Sequence, residues 1–169
     1  MGNLKICTFF VLFFVGCYNK SFKSDECEKQ IGCIDGVRLV TYAKSGMSFE
    51  SKSEKGKIDD KNCIILWNVN INIYEKNVTK ATINADIANV SSNRNNIEFK
   101  NNVEVSINDN RGKKVKLYTN SLNYIGGKLI SKDRVRVEYP DKILEGTGVS
   151  ISSDFSDIVV YGSKLVVER

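Results

Sequence analysis

From Val37 onward, apolar and polar residues alternate with a period of two almost everywhere. No stretch keeps an apolar stripe at i, i+3, i+4 and i+7 for three turns. The alternation predicts strands, and regular turn signals divide them: "NDNRG" at 108–112, "GG" at 126–127, "YPDK" at 139–142 and "SSDFSD" at 152–157. In "NIEFKNNVEVSI" the apolar residues Ile97, Phe99, Val103, Val105 and Ile107 are all odd-numbered and share one face of an extended chain. The polar interval Lys100-Asn101-Asn102 interrupts the alternation without changing its parity. It predicts a bend or corner that keeps the apolar face on one target, whereas a one-residue slip would turn that face to water.

The pattern recurs. "CIILWNVNI" sets Ile65, Trp67, Val69 and Ile71 in register, "KLISKDRVRV" sets Leu129, Val135 and Val137, and "DIVVYGSKLVV" sets Val159, Tyr161, Leu165 and Val167. Between Val69, Val103, Val135 and Leu165 the steps are 34, 32 and 30 residues, room for two or three strands and their turns. A strand with small residues precedes each later copy, carrying Ile83, Ala85 and Ile87, then Leu122 and Tyr124, then Val149 and Ile151. Repeated strands with one apolar face must bury it against a second layer or a ligand. The expected fold is all-β, an open β-jellyroll or V-shaped β-sandwich of repeated antiparallel strands. The last strand, from Ile158 through Val160 to Val166, is expected at one edge, open to strand addition by a partner, and residues 37–50 at the other.

The chain has 169 residues, enough for one domain and a modest core. Its formal charge of +5 suits either an ordinary solvated surface or contact with anionic lipid, and no basic cluster interleaved with aromatics points to nucleic acid. Lys114, Lys116, Arg134 and Arg136 are even-numbered and expected on the outer face, as solubilising charges or as contacts for phosphates at the mouth of an interior groove. Histidine is absent, and no GxSxG, P-loop or HExxH motif is present, so neither an enzyme, a cofactor nor a metal site is expected. Asp59-Asp60 and Asp154/Asp157 fall in turn-like segments, where aspartate is common. The sequons at Asn77 and Asn89 are read as chance.

At the N-terminus, Lys5 precedes an apolar run from Ile6 to Val15. Ten helical residues reach about 15 Å, half a bilayer core, so this is a signal h-region and not a span. Phe14-Val15-Gly16-Cys17 resembles a bacterial lipoprotein signal, which implies cleavage before a lipidated Cys17; ordinary secretion is the alternative. Residues 1–16 are thus read as signal peptide, 17–36 as a polar tether and 37–169 as the β domain. In an exported protein Cys27 and Cys33 are candidates for a short disulfide loop, and Cys63 reads as a small buried apolar residue.

The run "TINADIANV…NIEFKNNVEV…LYTNSLNYI…LISKDRVRVEYP…LEGTGVSI…DIVVYGSKLVV" resembles the LptC family of lipopolysaccharide export proteins, with its LptA and OstA-like relatives, over residues 37–169. The resemblance implies a jellyroll whose apolar groove holds the acyl chains of lipopolysaccharide or another glycolipid. It also implies edge-to-edge pairing with an LptA-like jellyroll and supply from an LptB/LptF/LptG-type transporter. Ile71, Phe99, Val103, Val105, Val135, Val137, Tyr161 and Leu165 are the groove candidates. The setting implied is the periplasm, with a lipid anchor on the inner rather than the outer membrane in place of the family's usual transmembrane helix. An LptA-like shuttle and an adhesive lipoprotein with a solid core remain as alternatives.

Overall fold

The computed structural model describes residues 33–42, 47–59, 61–76, 78–92, 96–108 and 113–166. The residues expected to form the signal and the lipid anchor, together with Cys27, lie outside them. Twelve strands form one antiparallel sheet: β1 (Cys33–Tyr42), β2 (Met47–Ile58), β3 (Ile64–Glu75), β4 (Val78–Val90), β5 (Asn96–Asn108), β6 (Lys114–Ile125), β7 (Lys128–Ser131), β8 (Val135–Tyr139), β9 (Lys142–Gly146), β10 (Gly148–Ile151), β11 (Ile158–Tyr161) and β12 (Lys164–Val166). The first six pair in sequence order as a meander of long strands. β6 then forks: its Asn123–Ile125 end pairs with β7, and Lys116–Thr119 pairs with β8. One branch continues β7–β10–β11 and the other β8–β9–β12, so two leaves share the long strands.

Long strands serve both leaves because each is broken in the middle. In β5, Asn101 (φ 61°) and Asn102 (φ 49°) are left-handed, and Asn68 in β3 has φ 52°. Asparagine accepts this region more readily than most residues. Between Lys100↔Ser121 and Val103↔Thr119, β5 contributes two residues against Asn120 alone, a β-bulge that bends the strand. Ile97 and Phe99 before the bulge, and Val103, Val105 and Ile107 after it, all enter one core, so the parity expected for this stretch holds.

In β3 the phase resets instead. Leu66 and Val69, on either side of left-handed Asn68, both face the core, while Ile65 and Trp67 bury on the other face in a small cluster with Cys33 and Ile87. The expected alignment of Ile65 and Trp67 with Val69 and Ile71 is therefore corrected, as is that of Ile87 with Ile83 and Ala85. In β4 the inward set likewise switches from Ala81, Ile83 and Ala85 to Ala88 and Val90. Hydrogen bonds tie the corners across strands: Asn68 Nδ2 donates to Glu54 Oε2 at 2.6 Å, and Asn102 Nδ2 to Asp86 Oδ2 at 2.8 Å.

β1 begins at Cys33, so residues 33–36 belong to the sheet and not to the tether. Ile34, Asp35 and Gly36 are exposed, and backbone pairing with β2 extends the strand without an apolar face to announce it. Cys33 and Cys63 are both disulfide-bonded. Cys63 is buried but is not the plain apolar thiol that its surroundings suggest.

The 152–157 turn holds more than punctuation. Phe155 is left-handed at φ 60° and only 2% exposed, closing the core from a segment that reads as polar. Asp154 Oδ1 accepts hydrogen bonds from Ser152 Oγ (2.6 Å), Ser156 Oγ (2.9 Å) and Ser156 N (3.2 Å), and these hold its pKa down to about 2.

Two outcomes follow. Asn101 is exposed, so Asn101→Val tests backbone strain with little packing change; urea unfolding of the full chain should show a loss of about 1–2 kcal/mol, with Asn101→Gly tolerated. The Asp154 carboxylate is favoured in the folded state. Its stabilising contribution is therefore full above the unfolded pKa of about 3.9 and is lost as pH falls through about 2. A carboxyl titration followed by NMR should place its midpoint near 2, well below the ordinary aspartate value of about 3.9, and an ordinary midpoint would contradict the turn geometry.

Candidate functional site: an apolar interior between two leaves

The inward faces of the two leaves meet in one continuous cluster. From β3 through β6 it takes Ile71, Ile83, Phe99, Val103, Val105 and Leu117, and from the short strands Leu129, Val135, Val137, Val149 and Ile151. Six of the eight predicted groove residues are therefore together: Ile71, Phe99, Val103, Val105, Val135 and Val137 are each at most 2% exposed. The other two are not among them. Tyr161 is 51% exposed and Leu165 59%, and both lie outside the cluster.

The physical reason is phase. "IVVY" is apolar at four successive positions, so alternation alone does not choose a face. The pairing Ile151↔Ile158 and Val149↔Val160 turns Ile158 and Val160 inward, where they pack against the core. These two were expected as features of the edge strand, and they also help to close the interior. The single last strand expected from Ile158 to Val166 is two strands separated by left-handed Gly162: β11 ends one branch of the sheet and β12 the other, pairing with β10 and β9 respectively among the described residues, while β1 is the opposite edge. Val166 is half-buried in β12.

Among the described residues the core side chains are closely packed. A small cavity of about 40 Å³ lies towards the β1 end, beside Leu39, Phe49, Ile64, Ile71 and Ile97. A larger, open cleft of about 580 Å³ lies outside, along Glu104, Tyr118, Asn120, Arg134, Arg136 and Glu145, with Val103 and Val135 reaching it from the core. Size alone would favour the outer cleft as a site, but four of its lining residues, Glu104, Arg134, Arg136 and Glu145, are engaged in ion pairs. The continuous apolar surface of the fold is the interior.

At that cleft Glu145 gathers cations from both neighbouring strands: Arg134 Nη2 at 3.1 Å, Lys164 Nζ at 3.2 Å and Arg136 Nη1 at 4.0 Å. Hydrogen bonds from Arg134 and Lys164 lead in holding its carboxyl below the usual glutamate value. Arg136 also meets Glu138 at 2.9 Å, and Lys116 meets Glu104 at 3.3 Å, which raises the Lys116 pKa. Three of the four cations considered for phosphate contact thus have carboxylate partners, and Lys114 is exposed on the outer face.

Sequence reading missed Phe155, hidden in a Ser/Asp turn, and the inward serines of β2. Ser51 and Ser53 are buried in a strand, "MSFESKSEKGKI", with scarcely an apolar residue to mark its inner face.

An all-β protein with a forked antiparallel sheet and one shared apolar interior is an open jellyroll. The sequence profile of the family described as "Lipopolysaccharide-assembly, LptC-related" matches residues 28–163, and the chain belongs to that family, whose members are not enzymes. Among solved structures, the fold is similar to that of LptH from Pseudomonas aeruginosa, described as the LptA homologous periplasmic component of the conserved lipopolysaccharide transport device. The TM-score is 0.56 at 8% identity, over 72% of this chain and 95% of that one. No curated protein matches the sequence.

The position of the interior can be tested by truncation. Leu117→Ala should lower unfolding free energy by about 2–5 kcal/mol, whereas Leu165→Ala should change it by no more than about 0.5 kcal/mol. Equal losses in chemical denaturation would mean that the β12 face is also packed.

Proposed function

We propose that this protein is a periplasmic component of a transport bridge for lipopolysaccharide or a related glycolipid. It is held at the inner membrane by a lipid on Cys17, and its jellyroll interior carries the acyl chains. It receives them from an LptB/LptF/LptG-type transporter and passes them to an LptA-like jellyroll joined edge to edge. The observation that carries the reading is the continuous apolar wall shared by both leaves, in a chain of the LptC-related family. Burying acyl chains there is worth about 0.8 kcal/mol per methylene, and a wall without unmatched charge is what that gain requires. The sheet edges at β1 and β11 supply places where neighbouring jellyrolls would add strands.

One observation favours a second reading. The interior is so well filled that an adhesive or structural lipoprotein with a solid core would look the same. On the transport reading, the walls must part to admit a chain.

A photo-crosslinking residue at Phe99, irradiated in cells, separates the two. The transport reading expects a glycolipid adduct that depends on cellular ATP. It also expects Val103→Asp or Val135→Glu to abolish the adduct when introduced beside the crosslinker, and Lys116→Ala to leave it nearly unchanged. Absence of any lipid adduct from a folded, correctly located protein would leave the solid-core reading.

A further inference from the structure

The core has one chemical anomaly. Ser51 is 2% exposed and Ser53 8%, and neither Oγ has a hydrogen-bond partner among the described residues. Both are on the inner face of β2, between aliphatic rows: Ser51 is opposite Leu39 on β1 and Ile71 on β3, and Ser53 opposite Val37 and Val69. A buried hydroxyl without a partner is destabilising, and a serine in such a row gains nothing that alanine would not give. Two on the same face, about 7 Å apart along the strand, make a polar track in a wall that is otherwise apolar.

Ser51 also borders the small cavity at the β1 end, whose other side chains are all apolar. A water there would meet one side-chain hydroxyl, fewer polar groups than the two to four that normally hold a buried water. A chain that is mostly hydrocarbon but carries an oxygen atom matches both features, since its methylenes suit the aliphatic neighbours and its oxygen pairs with a serine. On the lipid-carrying reading above, on which this inference rests, we infer that Ser51 and Ser53 form a recognition track for acyl chains bearing a hydroxyl or ester oxygen. The preference is for such chains over plain hydrocarbon ones. Ser51, at the cavity, is the first contact, and Ser53 the next along the strand.

The test uses the purified full chain and three probes: tetradecanoic acid and its 3-hydroxy and 12-hydroxy derivatives. Affinities are measured for wild type and for the Ser51→Ala/Ser53→Ala double variant. Wild type should bind at least one hydroxylated chain about fivefold to tenfold more tightly than the plain one, the scale of one net hydrogen bond. The double variant should lose that preference while binding the plain chain as well or better. Its unfolding midpoint should be unchanged or higher, because the hydroxyls contribute no hydrogen bond to the folded protein.

Equal affinities for all three chains in wild type would overturn the inference while leaving a lipid groove intact. So would a preference that survives the double substitution. A lower midpoint without a change in preference would assign the serines a structural partner such as water, and would also overturn it. Failure of every chain to bind would overturn the lipid-carrying reading itself, and the serine track with it.

Discussion

A long strand that serves two sheets must present its apolar side chains to the same interior before and after it bends, and the rest of this structure follows from that constraint. Side chains alternate along a strand, so each bend needs a local irregularity that returns the apolar set to the interior beyond it. β3 and β4 solve the problem with a three-residue step between inward residues, Leu66 to Val69 and Ala85 to Ala88, and β5 with a four-residue step from Phe99 to Val103. The extra residue in β5 is the bulge between its two neighbours, and the left-handed Asn101-Asn102 pair accommodates it. Without these irregularities there would be no shared core and hence no two-leaved jellyroll.

The fork at β6 completes the arrangement. Thr119 and Ser131 are buried there, their hydroxyls 3.1 Å apart, while Thr119 Oγ1 also donates to the Arg134 carbonyl and Ser131 Oγ accepts from Asp133 N. These polar groups are satisfied and define where the leaves separate, unlike the serines of β2. Farther along the second leaf, the cross-strand row Arg136–Glu145–Lys164 links β8, β9 and β12 on the outer surface. The polar interactions therefore cluster at corners, fork and exterior, which leaves the interior wall almost wholly aliphatic and aromatic.

That division explains what could be read from the sequence. Where apolar residues alternate with polar ones, as at Ile97–Ile107 or Val135–Val137, the inner face is legible, and six residues of the shared core follow from it. Phase changes were less visible. Asn68 looks like any polar strand residue, so nothing in "LWNVN" distinguishes a face change from continued alternation, and alternation alone puts Trp67 on the wrong side. In β11 the difficulty is the opposite: four consecutive apolar residues offer two equivalent faces, and the pairing with β10 decides between them. Phe155 depends on a hydrogen-bonded turn that aims one aromatic inward from a polar loop. Ser51 and Ser53 became visible as inner-face residues only through the rows they share with β1 and β3.

The filled interior bears on how such a wall would work if it carries lipid. Its residues already contact one another, so admitting an acyl chain exchanges wall–wall contacts for wall–chain contacts. The full transfer gain of about 0.8 kcal/mol per methylene accrues to the lipid, but the parting of the walls subtracts from it. A chain leaving the site would regain those contacts behind it. A relay needs this balance, because a permanently open apolar channel would hold its cargo with the whole burial energy and release it slowly. The half-buried Val37 and Leu39 on β1 mark the end where least wall–wall contact is lost on opening. The same end contains the small cavity and the unpartnered Ser51, so the region easiest to open is also the one with unmet hydrogen-bonding capacity.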